Sequence, residues 1–206
     1  MAVVETVAGL ERIYGEWGAV AAASTVKVAD HITPHYRRFI EAAPFATLAT
    51  AGPEGLDCSP RGDRPGFVRV ADPRTLLLPD RRGNNRIDSL RNVVRDPRVG
   101  LMFLIPGIGN ALRVNGQAVI DDDRTLCASF AVDGKAPRTV MVITVREVYF
   151  QCARALIRSG LWQQTNHVDP KTLPSPGQIL ADLSNGRVGG EVYDSTWAEK
   201  AKQTMW

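Results

Sequence analysis

Residues Leu76–Gly107 read LLLPDRRGNNRIDSLRNVVRDPRVGLMFLIPG, and this stretch sets the architecture. An apolar run ends at Pro79, followed by Asp80, two arginines, Gly83, two asparagines and Arg86. From there RIDSLRNVVRD places Ile87, Leu90 and Val94 at i, i+3 and i+7, one face of a helix that Pro97 ends. VGLMFLIP then returns to a β-type run, so the order is strand, polar turn, helix, strand. Orphan N–H groups and the positive dipole end at a helix N terminus favour an anion, Gly83 allows close backbone approach, and Arg86 can grip phosphate oxygens in a bidentate way. The alternative is that Asn84 or Asn85 caps the helix while the arginines face water. Both readings stay open at this point.

Working outward, FATLATA, LDCSP, GFVRVA and TLLLP precede the stretch, with GPEG as a turn, and ALRVNGQAVID and RTVMVITVREVYFQC follow it. In the last run Met141, Ile143 and Val145 alternate with Val140, Val142, Thr144 and Arg146, which predicts a partly buried strand. Most connections are too short for right-handed parallel crossovers, so the expected fold is an antiparallel barrel, mainly β, with peripheral helices. Residues 1–43 are expected to form a helical extension in amphipathic pieces, with Pro34 in a first helical turn and Pro44 as a stop. Residues 44–165 form the core. Residues 166–206 are expected to give a loop and two short helices packed on the barrel or on a second subunit.

The 206 residues, 44% of them hydrophobic, can bury a sizeable core in one domain with appendages. A net charge of +3 is too mild for a dedicated nucleic-acid surface, and aromatic residues are not interleaved with a basic run. Cys58, Cys127 and Cys152 lie too far apart for a zinc knuckle or a disulfide framework. Glu5 and Glu11 interrupt any secretory signal, and no apolar run is long enough to span a membrane, so the expectation is a soluble cytoplasmic protein.

CSPRGDRPG, residues 58–66, puts Arg61 and Asp63 between prolines, as on a strand edge beside a ligand or on an ordinary exposed hairpin. His31 and His35 have the spacing of a metal pair, but Pro34 intrudes and no third ligand is near, so no metal site is expected. Neither cysteine nor serine has a well-placed histidine for nucleophilic chemistry. A chain poor in general bases, yet carrying a phosphate-like cradle, points to chemistry done by a cofactor.

FATLATAGPEG, SPRGD, the Leu76–Gly107 stretch, LRVNGQA and CARALIRSGLW, in this order over Phe45 to Trp162, together resemble the pyridoxamine 5′-phosphate oxidase-like, FMN-binding split β-barrel family, nearest a bacterial subgroup of FMN-dependent enzymes with unassigned substrates. The resemblance implies a six-stranded split barrel and a homodimer that binds two FMN molecules at the subunit interface. It lays Ser59, Pro60, Arg61, Gly62 and Asp63 along the isoalloxazine ring, and sets Arg61 by its N1/C2 carbonyl edge. The family's Ser-Arg-Lys at the phosphate aligns with Asn84, Asn85 and Arg86, and Pro79 and Asp80 just precede that turn. Arg113 falls by the ring, and Trp162 is the residue expected from the second subunit.

Three departures qualify the likeness. The oxidases' Arg-x-x-x-x-Lys strand has proline and glycine around Arg61 here, their ring glutamine aligns with Ala111, and their Arg-x-His motif has no counterpart in WAEKAKQTMW. The resemblance therefore implies an FMN-dependent oxidoreductase acting on a small molecule other than pyridoxamine phosphate. The rival expectations are a non-catalytic FMN-binding or sensing protein, or the same barrel carrying haem or the deazaflavin F420.

Overall fold

A computed structural model describes residues 2–15 and 20–206. Among them seven strands form one antiparallel sheet: β1 (Phe45–Gly52), β2 (Gly55–Gly62), β3 (Arg69–Asp72), β4 (Thr75–Pro79), β5 (Arg98–Leu104), β6 (Ala111–Asp121) and β7 (Val140–Gln151). Their order is β2-β1-β5-β6-β7-β4-β3. This corrects the expected count of six and the expected closure. The sheet is open, with β2 and β3 at its two edges, and the short β3 hairpin is the seventh strand. Pro60 lies on the edge strand β2, where a missing N–H is tolerated.

Alternation decides which side of each strand is buried. Leu48, Leu101 and Phe103, Leu112 and Val114, and Ile143, Val145 and Val148 all turn inward onto one core, to which β4 adds Leu76 and Leu78. Each fully buried side chain of this size contributes ~1.5–3 kcal/mol. A second, smaller cluster lies under α5 (Arg124–Ala128), where Cys127 and Phe130 cover Leu77 and Val140. Asn115 pairs with Glu147 and Gly116 with Val145, so Arg146 is a bulge that bends β7, and a Cβ on Gly116 would stand 2.3 Å from the Thr144 carbonyl oxygen.

The expected prefix gives α1 (Val7–Tyr14), α2 (Ala22–Thr25) and α3 (Pro34–Ala42), with residues 1 and 16–19 outside the described residues. Pro34 is the first residue of α3, as the sequence predicts, and Thr33 caps the helix. After β7 come α6 (Arg154–Ser159), α7 (Pro176–Ser184) and α8 (Gly190–Thr204), the last longer than expected. No helix among the described residues is long and apolar enough to cross a membrane.

The helix that follows the opening turn, α4, runs Asp88–Arg95, shorter than its apolar spacing predicts. Its buried face is also different: Ser89, Asn92 and Val93 face inward, while Val94 is 78% exposed and Ile87 precedes the helix. The reason is polar. Asn92 donates to the Thr50 hydroxyl at 3.1 Å, so its side chain satisfies a buried group on β1 that an aliphatic one could not. Close approach is possible because Gly52 lacks a side chain: a Cβ there would stand 2.2 Å from Asn92 Oδ1.

Candidate functional site

The end of β4 delivers the chain into a cavity of about 980 Å3, bounded by β2, by residues 79–87 and by the first turn of α4. Ser59, Pro60, Arg61, Gly62, Pro79, Asp80, Asn84, Asn85 and Arg86 all line it, so the two segments that the resemblance assigns to one cofactor, far apart in sequence, do meet. Asp63 does not line the cavity. Its carboxylate accepts from Arg81 Nε at 2.7 Å in a half-buried pair, while Arg81 also donates to the Phe130 carbonyl, fixing the start of the turn. Arg113 and Trp162 stand outside this cavity. Arg113 is three strands from Pro60 across the register, ~14 Å, with its guanidinium 5.1 Å from the Tyr149 ring centre. The Trp162 indole donates to the Ile108 carbonyl at 2.9 Å.

The helix start is built unusually. Neither Asn84 nor Asn85 caps α4; Asn84 accepts instead from the Arg86 amide at 3.1 Å, and Asn85 has φ 62°. The residue at the cap position is Ile87, a β-branched residue at φ 54° and ψ 23°, with no side-chain cap. Left-handed backbone at such a residue costs of order 1–3 kcal/mol, and such residues cluster at ligand-binding and active sites. Among the described residues the amides of Asp88, Ser89 and Leu90 have no acceptor. All three residues line the cavity together with Arg61, Arg86 and Arg138.

Those arginines differ in how they are engaged. Arg86 pairs with Asp88 at 2.7 Å and is 75% exposed, whereas Arg138, which precedes β7, stands 3.5 Å from Asn85 Oδ1. Arg61 sits deeper, donating to Ser59 at 2.8 Å and to Ser89 at 2.9 Å. Burial pulls its guanidinium below the ordinary arginine range, opposed by Asp80 and Asp57. Burial likewise pushes the Asp80 carboxyl above the usual carboxylate range, opposed by Arg61 and Arg138. Phe67 and Leu78 give the cavity an apolar patch, and Trp206, two residues past α8, completes its wall.

The sequence reading missed Asp57, Ser89, Arg138 and Trp206. Asp57 could have been found, because it alternates with Ser59 and Arg61 on one face of β2. Arg138 and Trp206 reach the cavity only through long-range folding, which leaves no local signal.

A family model described as pyridoxamine 5′-phosphate oxidase matches residues 32–152, more than half of the chain. The chain belongs to the pyridoxamine 5′-phosphate oxidase family. The span shared with that family contains all seven strands and the whole cavity wall except Trp206. No curated protein matches the chain. Among solved structures, HupZ of Group A Streptococcus is 19% identical, with 59% of this chain and 94% of that one covered and a TM-score of 0.48. A Lactobacillus delbrueckii protein named as a candidate pyridoxamine 5′-phosphate oxidase is 20% identical over 59% of this chain and 95% of its own, with a TM-score of 0.47. A Clostridium acetobutylicum protein related to general stress protein 26 is 15% identical, covering 57% and 86%, at 0.44. Likenesses this distant add nothing to the family match.

Proposed function

We propose that the chain binds FMN in this cavity and serves as an FMN-dependent oxidoreductase for a small molecule. The observation that carries the reading is the uncapped start of α4, where three free amides and a strained Ile87 open among Arg61, Arg86 and Arg138. A phosphate monoester suits that set: amides at the positive end of a helix dipole, with guanidinium groups around them. The volume is within the range of small-molecule and cofactor sites.

In this reading the residues of the turn hold the phosphate, while Pro79, Phe67, Leu78 and Trp206 supply the apolar wall for a planar ring. FMN, when bound, supplies hydride or single-electron transfer through its isoalloxazine ring. The chain's own part is to orient the cofactor and exclude water. Arg61 lies against Ser89, the second residue of α4, and this placement favours a role at the phosphate over the ring-edge role that the resemblance implies. Haem is the weaker reading for this cavity, since among the described residues its wall offers no histidine, cysteine, methionine or tyrosine as an axial ligand.

The second subunit belongs to the same proposal. The outer face of β2, β1 and β5 presents Leu56, 90% exposed, beside Ala49, Ala51 and Gly100, with Arg98, Arg146 and Glu147 nearby. A flat, small-residue strand face with charged edges suits a twofold interface. The absorption spectrum of the purified protein after incubation with FMN and gel filtration tests the cofactor, and sedimentation tests the dimer. Retained flavin bands on a dimer are expected; a Soret band, or a protein that retains no flavin, would overturn the reading.

A further inference from the structure

The polar cluster at the back of the cavity is more ordered than phosphate binding alone requires. Arg81 and Arg86 each pair directly with a carboxylate, whereas Arg61 makes no direct ion pair among the described residues, although Asp57 and Asp80 are both near enough to act on its charge. Two serines stand between Arg61 and Asp57. Arg61 Nη1 donates to Ser59 Oγ and to the Pro60 carbonyl, both at 2.8 Å, and Nη2 donates to Ser89 Oγ at 2.9 Å. Ser89, 3% exposed, donates in turn to Asp57 Oδ2 at 2.5 Å, and Ser59 lies 3.3 Å from the same oxygen and 2.9 Å from Ser89 Oγ.

Counting protons fixes the direction of the bonds that Arg61 makes to the serines. Each serine has one proton, and Arg61, which can only donate, must meet a lone pair on each of them. Ser89 therefore gives its proton to Asp57, and Ser59 gives its own to Asp57 or to Ser89. In either arrangement both hydroxyls are forced to accept from Arg61. Of the five guanidinium N–H groups three are then committed, and the two left, on Nε and Nη2, share one edge of the fork. Without the serines a carboxylate this close would take a bidentate edge for itself.

We propose that Asp57 is a positioning residue: through Ser59 and Ser89 it locks Arg61 so that its free Nε/Nη2 edge is kept for a phosphate monoester at the start of α4. The inference rests on the FMN reading and adds to it the device that makes the site selective for a phosphorylated ligand. Neutral hydroxyls carry the coupling, so the negative charge of Asp57 stays one residue removed from the incoming dianion. The shorter bond to Ser89 makes that serine the principal link, with Ser59 secondary.

The test is the ratio of riboflavin to FMN dissociation constants, measured by fluorescence titration on full-length variants. Asp57→Asn should lower the ratio roughly tenfold with riboflavin affinity little changed, since the loss is of about one charge-assisted hydrogen bond. Ser89→Ala should lower it more than Ser59→Ala. Arg61→Lys should lose as much as Arg61→Ala, because an ammonium keeps the charge but lacks the fork. A purely structural Asp57 would weaken both ligands together, and that result, or an unchanged ratio in Asp57→Asn, overturns the proposal while leaving the FMN reading intact. If Asp57→Asn does not fold, the order of the two serine variants decides in the same way. A wild-type protein that does not distinguish FMN from riboflavin would overturn both.

Discussion

Replacing Arg86 tests whether the turn after β4 is a ligand cradle or a solvated basic face. Arg86 is exposed and already paired with Asp88, so its removal has two opposing consequences for an incoming phosphate. A charge-assisted hydrogen bond to a phosphate oxygen is worth ~1.5–3 kcal/mol, and an exposed ion pair of the kind it leaves behind returns only ~0.2–1 kcal/mol. The difference, ~1–2 kcal/mol, corresponds to a loss of FMN affinity of about 5- to 30-fold for Arg86→Ala. Arg95, seven residues or about two helical turns from the helix start and bonded to Glu54, should contribute nothing to binding. Asp88→Asn should act in the opposite sense, tightening FMN slightly, because it removes a carboxylate from beside the dianion. Isothermal titration with FMN and with riboflavin reads all three variants, and riboflavin binding should not respond. If Arg86→Ala and Arg95→Ala bind FMN equally well, the arginines are only a charged surface and the phosphate reasoning is wrong.

Ile87→Gly should raise the melting temperature by about 2–4 °C, reflecting ~1 kcal/mol of relieved left-handed strain at a half-exposed side chain; a lowered value would show that the conformation is unstrained. Trp206→Ala should weaken FMN and riboflavin by the same factor, ~1–3 kcal/mol for a lost stacking wall, whereas an effect on FMN alone would place the indole at the phosphate end. Asp80→Asn should stabilise the unliganded fold at neutral pH. Burial raises the Asp80 carboxyl in the folded state above its unfolded value, so the folded protein holds the extra proton and stability falls as pH rises from near 3.8 through the raised value. The gain from Asp80→Asn should therefore disappear at pH values below that window. Melting curves across pH check this, and a gain that persists in acid would contradict it.

The strands were the most legible part of the chain. Their alternating runs mark seven candidates, and the observed sheet has seven, so the residues outlined the fold more faithfully than the six strands implied by family resemblance. The buried face of α4 was not legible, because Ser89 and Asn92 carry hydrogen bonds inward and apolar spacing cannot register a polar contact. At the cavity, local chemistry singled out the Asn84–Arg86 turn without deciding between a cradle and a cap, and only the family resemblance joined the Ser59–Gly62 strand to it. Asp57 escaped although its position two residues before Ser59 placed it on the same strand face. Arg138 and Trp206 could not have been found, since only the tertiary fold brings a residue before β7 and another past α8 to the end of β4.

The most direct measurement of the central claim is equilibrium binding of FMN and riboflavin to the unmodified protein under identical buffer and salt. If the start of α4 and its arginines receive a phosphate, FMN binds at least tenfold more tightly than riboflavin, and the advantage shrinks as ionic strength rises. Equal affinities, or a preference indifferent to salt, would contradict a phosphate cradle at this turn.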